Sequence, residues 1–275
     1  MNALTGQKVS IVSASPQTTR NKVRGIINRE EGQIVFLDTP GIHLSEKKFN
    51  NLMMENVASA LSESDLILYV IDVTRAPGKE EEAIRDRLIK YDQPVLVLLN
   101  KIDVEPNLLM EFQEFLKPLK SQKVLGISAL KKKGLEEVVS TLITLAPEGP
   151  RFYPEDYYTD QEIQFRISEI IREQALEFAR QELPHSIYVE IADLEETESG
   201  KKLWIRAFLN VERDSQKGIL VGKDGSIIKQ IRVKSQANLQ KLFDQRIHLD
   251  LRIKVDSKWK TDDRLLRKII SEGQD

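Results

Sequence analysis

The sequence predicts an α/β protein, with a doubly wound, mostly parallel sheet followed by a smaller α+β domain. Three observations carry this. Four continuous apolar runs, IVFLDT (34–39), LILYVIDV (66–73), PVLVLLNK (94–101) and VLGISA (124–129), have the Val, Ile and Leu content of parallel strands covered on both faces. Helix-compatible stretches at 49–64, 78–91, 107–119 and 134–146 alternate with these runs, and regular alternation builds a sheet with helices on both sides. Beyond a stretch with three prolines and no period, 146–160, the order changes to helix, strand, strand, helix, helix, strand.

The proline-rich stretch divides the chain into a first domain at 1–147, a linker at 148–161 and a second domain at 162–275. The second domain opens with an amphipathic helix at 162–183. Strands at 186–196 and 202–212 are joined through TESG, a helix pair at 216–243 is interrupted at Gly222–Gly225, and a strand at 246–255 follows. The chain has no cysteine, which excludes disulfides and cysteine-ligated metals. Its apolar runs are far shorter than the roughly 20 residues of a membrane span, and Met1 is not followed by a basic start and a long apolar core. A cytoplasmic protein is expected. The net charge of -2 hides a division: residues 151–200 carry 4 Lys/Arg against 13 Asp/Glu, and residues 201–260 carry 15 against 6. The second block suits a polyanionic partner.

Asp38-Thr39-Pro40-Gly41 closes the first run. Alone it reads as a turn after a strand. As a functional element, Asp38 would hold magnesium through a water and the amide of Gly41 would face a terminal phosphate. Asn100-Lys101-Ile102-Asp103 closes the third run. The Asp103 carboxylate can accept two hydrogen bonds from the N1–H and N2 edge of guanine, an edge that adenine lacks. Asn100 would bridge base and loops, with the Lys101 stem over the ring; the alternative is that Asp103 caps the next helix. Ser128-Ala129-Leu130 closes the fourth run, where the Ala129 amide is a donor for guanine O6. Each motif is short, and their order at the carboxyl ends of successive buried strands makes them one candidate site.

With these motifs the chain resembles translation-factor-class GTPases. Pro16-Gln17-Thr18-Thr19-Arg20, read with VSIVSASPQTTRNKVRGI (9–26) and DTPGIH, resembles the Era-type GTPases, which assist small ribosomal subunit maturation. The resemblance covers essentially the whole chain. It implies a P-loop GTPase fold, GTP/GDP and magnesium as cofactors, and a first switch in which Thr18 or Thr19 closes on magnesium and the terminal phosphate. Thr18, Thr19 and Gly41 are thereby the catalytic candidates, and Asp38, Thr39, Pro40, Gly41, Asn100, Lys101, Asp103, Ser128 and Ala129 the nucleotide-binding ones. Ile42 stands where many GTPases carry a glutamine after the glycine, so backbone groups, a monovalent cation or the ribosome would complete the site.

No GxxxxGK[ST] phosphate loop occurs in the 275 residues. Two accounts follow. Either Met1 is an internal methionine of a longer chain, which the open middle of the sheet favours, or nucleotide binding is lost and an RNA-binding role remains.

Gly222-Lys223-Asp224-Gly225 has the GXXG form that lets backbone approach the sugar-phosphate chain of four nucleotides. It lies between two helices in the basic block, in the element order of a type II KH domain. Lys217, Lys223, Lys229 and Lys234 are candidate phosphate contacts, with Ile219, Ile227 and Ile228 shaping the groove. The resemblance implies the 3′ end of small-subunit ribosomal RNA and the 30S subunit as partners, a monomer, and at most peripheral association with the inner membrane face. His43, His185 and His248 are scattered without metal-site spacing. Trp204 and Trp259 fit packing better than base stacking, with Trp259, between Lys258 and Lys260, the one expected to reach RNA if exposed.

Overall fold

The computed structural model describes residues 1–13, 18–41, 48–105, 108–178, 186–197 and 199–271. The chain forms two compact units, one of Met1–Ser10 with Lys22–Asp160, the other of Ile11–Asn21 with Gln161–Asp275.

The first unit begins with the short helix α1 (Asn2–Thr5) and the antiparallel hairpin β1 (Val23–Asn28) and β2 (Gln33–Asp38). Then come α2 (Lys48–Glu63), β3 (Ile67–Asp72), α3 (Lys79–Leu88), β4 (Val95–Asn100), α4 (Leu109–Leu116), β5 (Ser121–Ile127) and α5 (Leu135–Leu145). Strands β3, β4 and β5 form a parallel ladder in that order. The central strand explains its own composition. Val95, Val97 and Leu99 pack with Leu88, Phe112 and Leu116 on one face, and Leu96 and Leu98 pack with Leu135, Val138 and Leu142 on the other. A strand buried on both faces has no polar side to alternate with.

Strand β1 was not expected from the sequence, because Arg24 and Gly25 break its apolar run; its register is set by pairing with β2 through the Arg29–Gly32 turn. Among the described residues β2 pairs only with β1 and β3 only with β4. The stretch taken as a linker, 148–161, is strapped onto this hairpin. Ile26 N donates to Tyr158 O at 2.9 Å, Arg24 pairs with Asp160 at 2.9 Å, and Gln33 Oε1 accepts from Phe152 N and Tyr153 N at 2.9 and 3.0 Å. Prolines remove helix and strand propensity without preventing such side-chain-to-backbone anchoring.

The second unit runs α6 (Ile163–Phe178), β6 (Tyr188–Glu196), β7 (Lys202–Val211), α7 (Asp214–Val221), a 3-10 turn (Lys223–Gly225), α8 (Ser226–Leu239), β8 (Arg246–Val255) and α9 (Asp263–Ser271). Its sheet has the order β6-β7-β8, with β6 antiparallel and β8 parallel to β7. Ile205, Ala207, Leu209, Ile247, Leu249, Leu251 and Ile253 face a core built with Ile167, Ile171, Leu220 and Ile231 of the helices. The intervening residues face solvent, as the period of two requires. Helix α9 was missed because its apolar period is short and lies among Lys and Arg.

Residues 11–21, expected in the first domain, belong to the second unit. Helix α6 buries Arg172, Glu173 and Gln174, groups that cost several kcal/mol to bury unpaired. The segment supplies partners: Val12 N donates to Glu173 Oε1 at 2.7 Å, and Arg172 Nη2 donates to Thr18 O at 2.7 Å while its Nε binds Glu169 Oε1 at 2.6 Å.

Candidate functional site

The loops at the carboxyl ends of β4 and β5 are joined by one side chain. Asn100 Oδ1 accepts from Lys101 N at 2.9 Å and from Ala129 N at 3.0 Å, which joins the two strand-end loops. Lys101 takes a left-handed backbone, φ 68°, and its Nζ meets Asp72 Oδ2 at 2.6 Å. Asp72 Oδ1 in turn accepts from the amide and hydroxyl of Thr74. The Asp103 carboxylate is fully exposed to solvent, and a hydrogen bond to Ser128 holds its pKa below the usual carboxylate value. Ser128 itself is buried, and its Oγ accepts from Lys131 N at 3.0 Å. An ionised, outward-facing carboxylate held from behind is the geometry that guanine's N1–H and N2–H require. The amide of Ala129, expected to serve guanine O6, is engaged with Asn100, so it would reach O6 only by sharing or exchanging that bond.

Asp38 ends β2 with its carboxylate partly buried. Ser10 Oγ donates to Asp38 Oδ2 at 2.7 Å. Burial raises the Asp38 pKa, opposed by the Ser10 bond and the Thr39 amide. Asn2 fixes the backbone beneath: its Oδ1 accepts from Val9 N and Ser10 N at 2.9 and 2.8 Å, and its Nδ2 donates to Ser10 O at 2.6 Å. Sequence reasoning found neither Ser10, whose signal is a contact across 28 residues, nor Asn2, whose partners lie seven and eight residues away with no motif to mark them. Pro40 is buried and Gly41 exposed. Among the described residues no cluster of three or more His, Asp or Glu is gathered. Magnesium is usually held by one or two carboxylates, waters and substrate phosphates, and Asp38, oriented by Ser10, is one such carboxylate. The residues present thus fit the base and one carboxylate of a magnesium site, while the lysine and hydroxyl of a phosphate loop have no counterpart in the sequence.

Thr18 and Thr19 are half-buried in the second unit, whereas Asp38 and Gly41 belong to the first. Pro16, Gln17, Ile42, His43 and His185 lie outside the described residues. Arg20, next to the threonines, is buried. Its Nη1 donates to Ile187 O at 2.6 Å, and its guanidinium lies 5.9 Å from the Trp259 ring centroid. Burial, then repulsion from Arg172, lowers its pKa to about 9, against attraction from Glu169 and Glu212. It therefore stays cationic at neutral pH.

The GXXG turn shows why its glycines differ. Gly222 has φ 72° and ψ 178°, a region open only to glycine, and a Cβ there would sit 2.6 Å from Ile227 Cγ1. Gly225 has φ 73° and a Cβ there would meet only Ile228 Cγ2, at an ordinary 3.9 Å, and Asp224 between them is left-handed at φ 52°. Lys217, Lys223 and Lys229 are exposed without an ion-pair partner among the described residues, and Ile219 is exposed beside them. Lys234 is paired with Glu177 and lies 5.2 Å from the Phe178 ring, so a phosphate contact there would displace an existing partner. Of the tryptophans, Trp259 packs as expected and Trp204 does not. Trp259 is fully buried against Tyr188, with ring centroids 5.1 Å apart, and Trp204 is 45% exposed.

A family model described as 50S ribosome-binding GTPase matches residues 1–101, and one described as KH domain matches residues 182–260. The GTPase Era of Treponema denticola is 47% identical over 273 residues, covering 98% of this chain and 93% of that protein. That of Borreliella afzelii is 45% identical with the same coverage. A crystal structure of Era in complex with MgGDPNP and nucleotides 1506–1542 of 16S ribosomal RNA matches with a TM-score of 0.92 at 34% identity, covering 98% of this chain and 92% of that one. A point variant of Aquifex aeolicus Era bound to GDP and AlF4⁻ matches with a TM-score of 0.91 at 35% identity and the same coverage.

Proposed function

Because the chain belongs to the Era GTPase family, we propose that it is a GTP-binding and hydrolysing switch that engages small-subunit ribosomal RNA near its 3′ end and assists 30S subunit assembly. The observation that carries the nucleotide half is the Asn100–Ala129 bond beside the exposed, Ser128-backed Asp103. These residues select guanine before any phosphate contact is made. Asp38, oriented by Ser10, would hold magnesium through a water, and the ion would draw charge from the phosphate oxygens during hydrolysis. Thr18 or Thr19 would close on the phosphate end and Gly41 would sense its loss. The RNA half rests on the exposed Lys217, Lys223 and Lys229 around a turn whose glycines bring backbone to the sugar-phosphate chain. The protein would act in the cytoplasm as a monomer, with any membrane association peripheral; among the described residues no helix is long and apolar enough to cross a bilayer.

A second reading has its own support. The exposed Lys217, Lys223 and Lys229 need no nucleotide to meet a phosphate chain, so the chain would bind RNA through the KH unit with the first unit as a vestigial scaffold. Calorimetric titration with GDP and magnesium, run beside titration with an RNA copying nucleotides 1506–1542 of 16S rRNA, separates the two. GDP binding, with RNA affinity that changes between GDP and a GTP analogue, supports the switch. RNA binding without any nucleotide heat, both in this chain and in a form extended to any upstream in-frame start, supports the scaffold.

A further inference from the structure

We propose that the solvent face of the second unit's sheet, along β7 and the edge strand β8, is a second contact surface for single-stranded RNA. The helices cover one face only: the odd-numbered residues of β7, and of β8 from Ile247 to Ile253, lie in the core. Except for the buried Asn210, the even-numbered residues emerge as a largely basic and aromatic strip, with Lys202, Trp204, Arg206 and Phe208 on β7 and Arg246, His248, Arg252 and Lys254 on β8. Only Asp250 on these two strands opposes the charge, and it pairs with Arg252 and Arg206. Acidic residues gather across the sheet on β6, where Glu190, Asp193 and Glu195 face Phe208, Arg206 and Trp204. The face is therefore polar in the electrical sense, with its cationic half at the β8 edge.

Charges on an edge strand also prevent strand-to-strand aggregation, and that role needs no aromatic groups. Here Trp204, on the central strand, is 45% exposed with the His248 ring 3.8 Å from its own, and Lys254 sits 3.1 Å above the Phe208 ring. Arg206 is also held by Asp193 at 2.7 Å, so the cations without an ion-pair partner among the described residues are Lys202, Arg246 and Lys254. Flat rings with such cations beside them form a stacking platform for bases with phosphate contacts alongside. Alternate residues of a strand recur about every 6.7 Å, a spacing comparable to that of successive phosphates in an extended single strand. A duplex, which hides its base faces, would leave the rings unused.

The inference rests on the KH unit binding RNA, but on neither nucleotide nor the GXXG turn. Its test uses the full chain, oligouridylate of about four nucleotides and a several-fold longer strand. Trp204→Ala should weaken the longer strand about fivefold or more. Arg246→Gln with Lys254→Gln should lower its salt slope by about 1.4, roughly 0.7 per lost contact. Both should leave the short strand unaffected, whereas Lys217→Gln with Lys223→Gln should weaken both strands. Unchanged affinity and slope for the longer strand in the sheet variants overturns the second surface, even if the turn variants behave as expected. An unchanged short strand in the turn variants counts instead against the GXXG clamp. A sheet variant that keeps its RNA affinity but dissociates a dimer in sedimentation assigns the face to a second copy of the chain, and overturns the proposal too.

Discussion

Asn100 Oδ1, at the end of β4, accepts a hydrogen bond from the amide of Ala129, just beyond β5, at 3.0 Å. One side chain thus ties together two loops 29 residues apart, and it also accepts from the Lys101 amide, which steadies a lysine in a left-handed backbone. Asn100→Ala leaves the half-buried Ala129 amide and the exposed Lys101 amide without this partner. The expected cost is about 1–3 kcal/mol, read as a lower urea midpoint at unchanged m-value. Asn100→Asp, which keeps the acceptor, should recover most of it.

Asp103 must be ionised to accept from guanine, and the Ser128 bond holds its pKa below the ordinary carboxylate value. Guanine affinity should therefore persist through neutral and mildly acidic pH and be lost only as pH falls below the usual carboxylate range. Ser128→Ala should move that loss to higher pH. Asp103→Asn should favour xanthine over guanine, because an amide offers a donor where the carboxylate had none. Competition between GDP and xanthosine diphosphate reads this directly.

The two glycines of the GXXG turn should differ sharply on substitution. Gly222→Ala combines a glycine-only backbone with a 2.6 Å clash against Ile227, so loss of more than about 2 kcal/mol is expected. Gly225→Ala makes only an ordinary contact with Ile228 Cγ2 at 3.9 Å, so its cost is that of a left-handed backbone, about 1–2 kcal/mol. Thermal melts of the two variants check the order.

Arg20→Ala removes a buried cation that binds Ile187 O and lies near Trp259. Breaking such a network typically costs about 3–5 kcal/mol. The near-UV circular dichroism of the indole should change with it, since Trp259 is packed against the same group.

The tryptophans give a direct optical test. Acrylamide should quench Trp204 emission and leave Trp259 largely protected, because only Trp204 is exposed. Trp204→Phe should remove nearly all quenchable emission; if Trp259→Phe does so instead, the burial assignment is wrong.

Much of the arrangement was legible in the sequence. The strands Ile67–Asp72 and Val95–Asn100 fall inside the apolar runs, because burial on both faces leaves no polar residue to blur them. The loops at Asp38, Asn100 and Ser128 follow, since a motif after a strand end has one place to go. The GXXG turn was legible for the same local reason. Strand β1 was not, because Arg24 and Gly25 are tolerated through pairing with β2 and anchoring to Asp160.

What the sequence by itself determined is the periodicity of each element, the order of the motifs and the division of charge between the acidic and basic blocks. These follow from local patterning, which sets which face of an element must leave water. Only the tertiary structure decided which polar groups leave water with it. It assigned residues 11–21 to the second unit, where Arg172 holds Thr18 O and Arg20 is buried. It buried Trp259 and exposed Trp204, and it set Ser10 behind Asp38. Each of these turns on a partner distant in the chain, since desolvating an ionic or hydrogen-bonding group is tolerable only where another part of the fold supplies its complement.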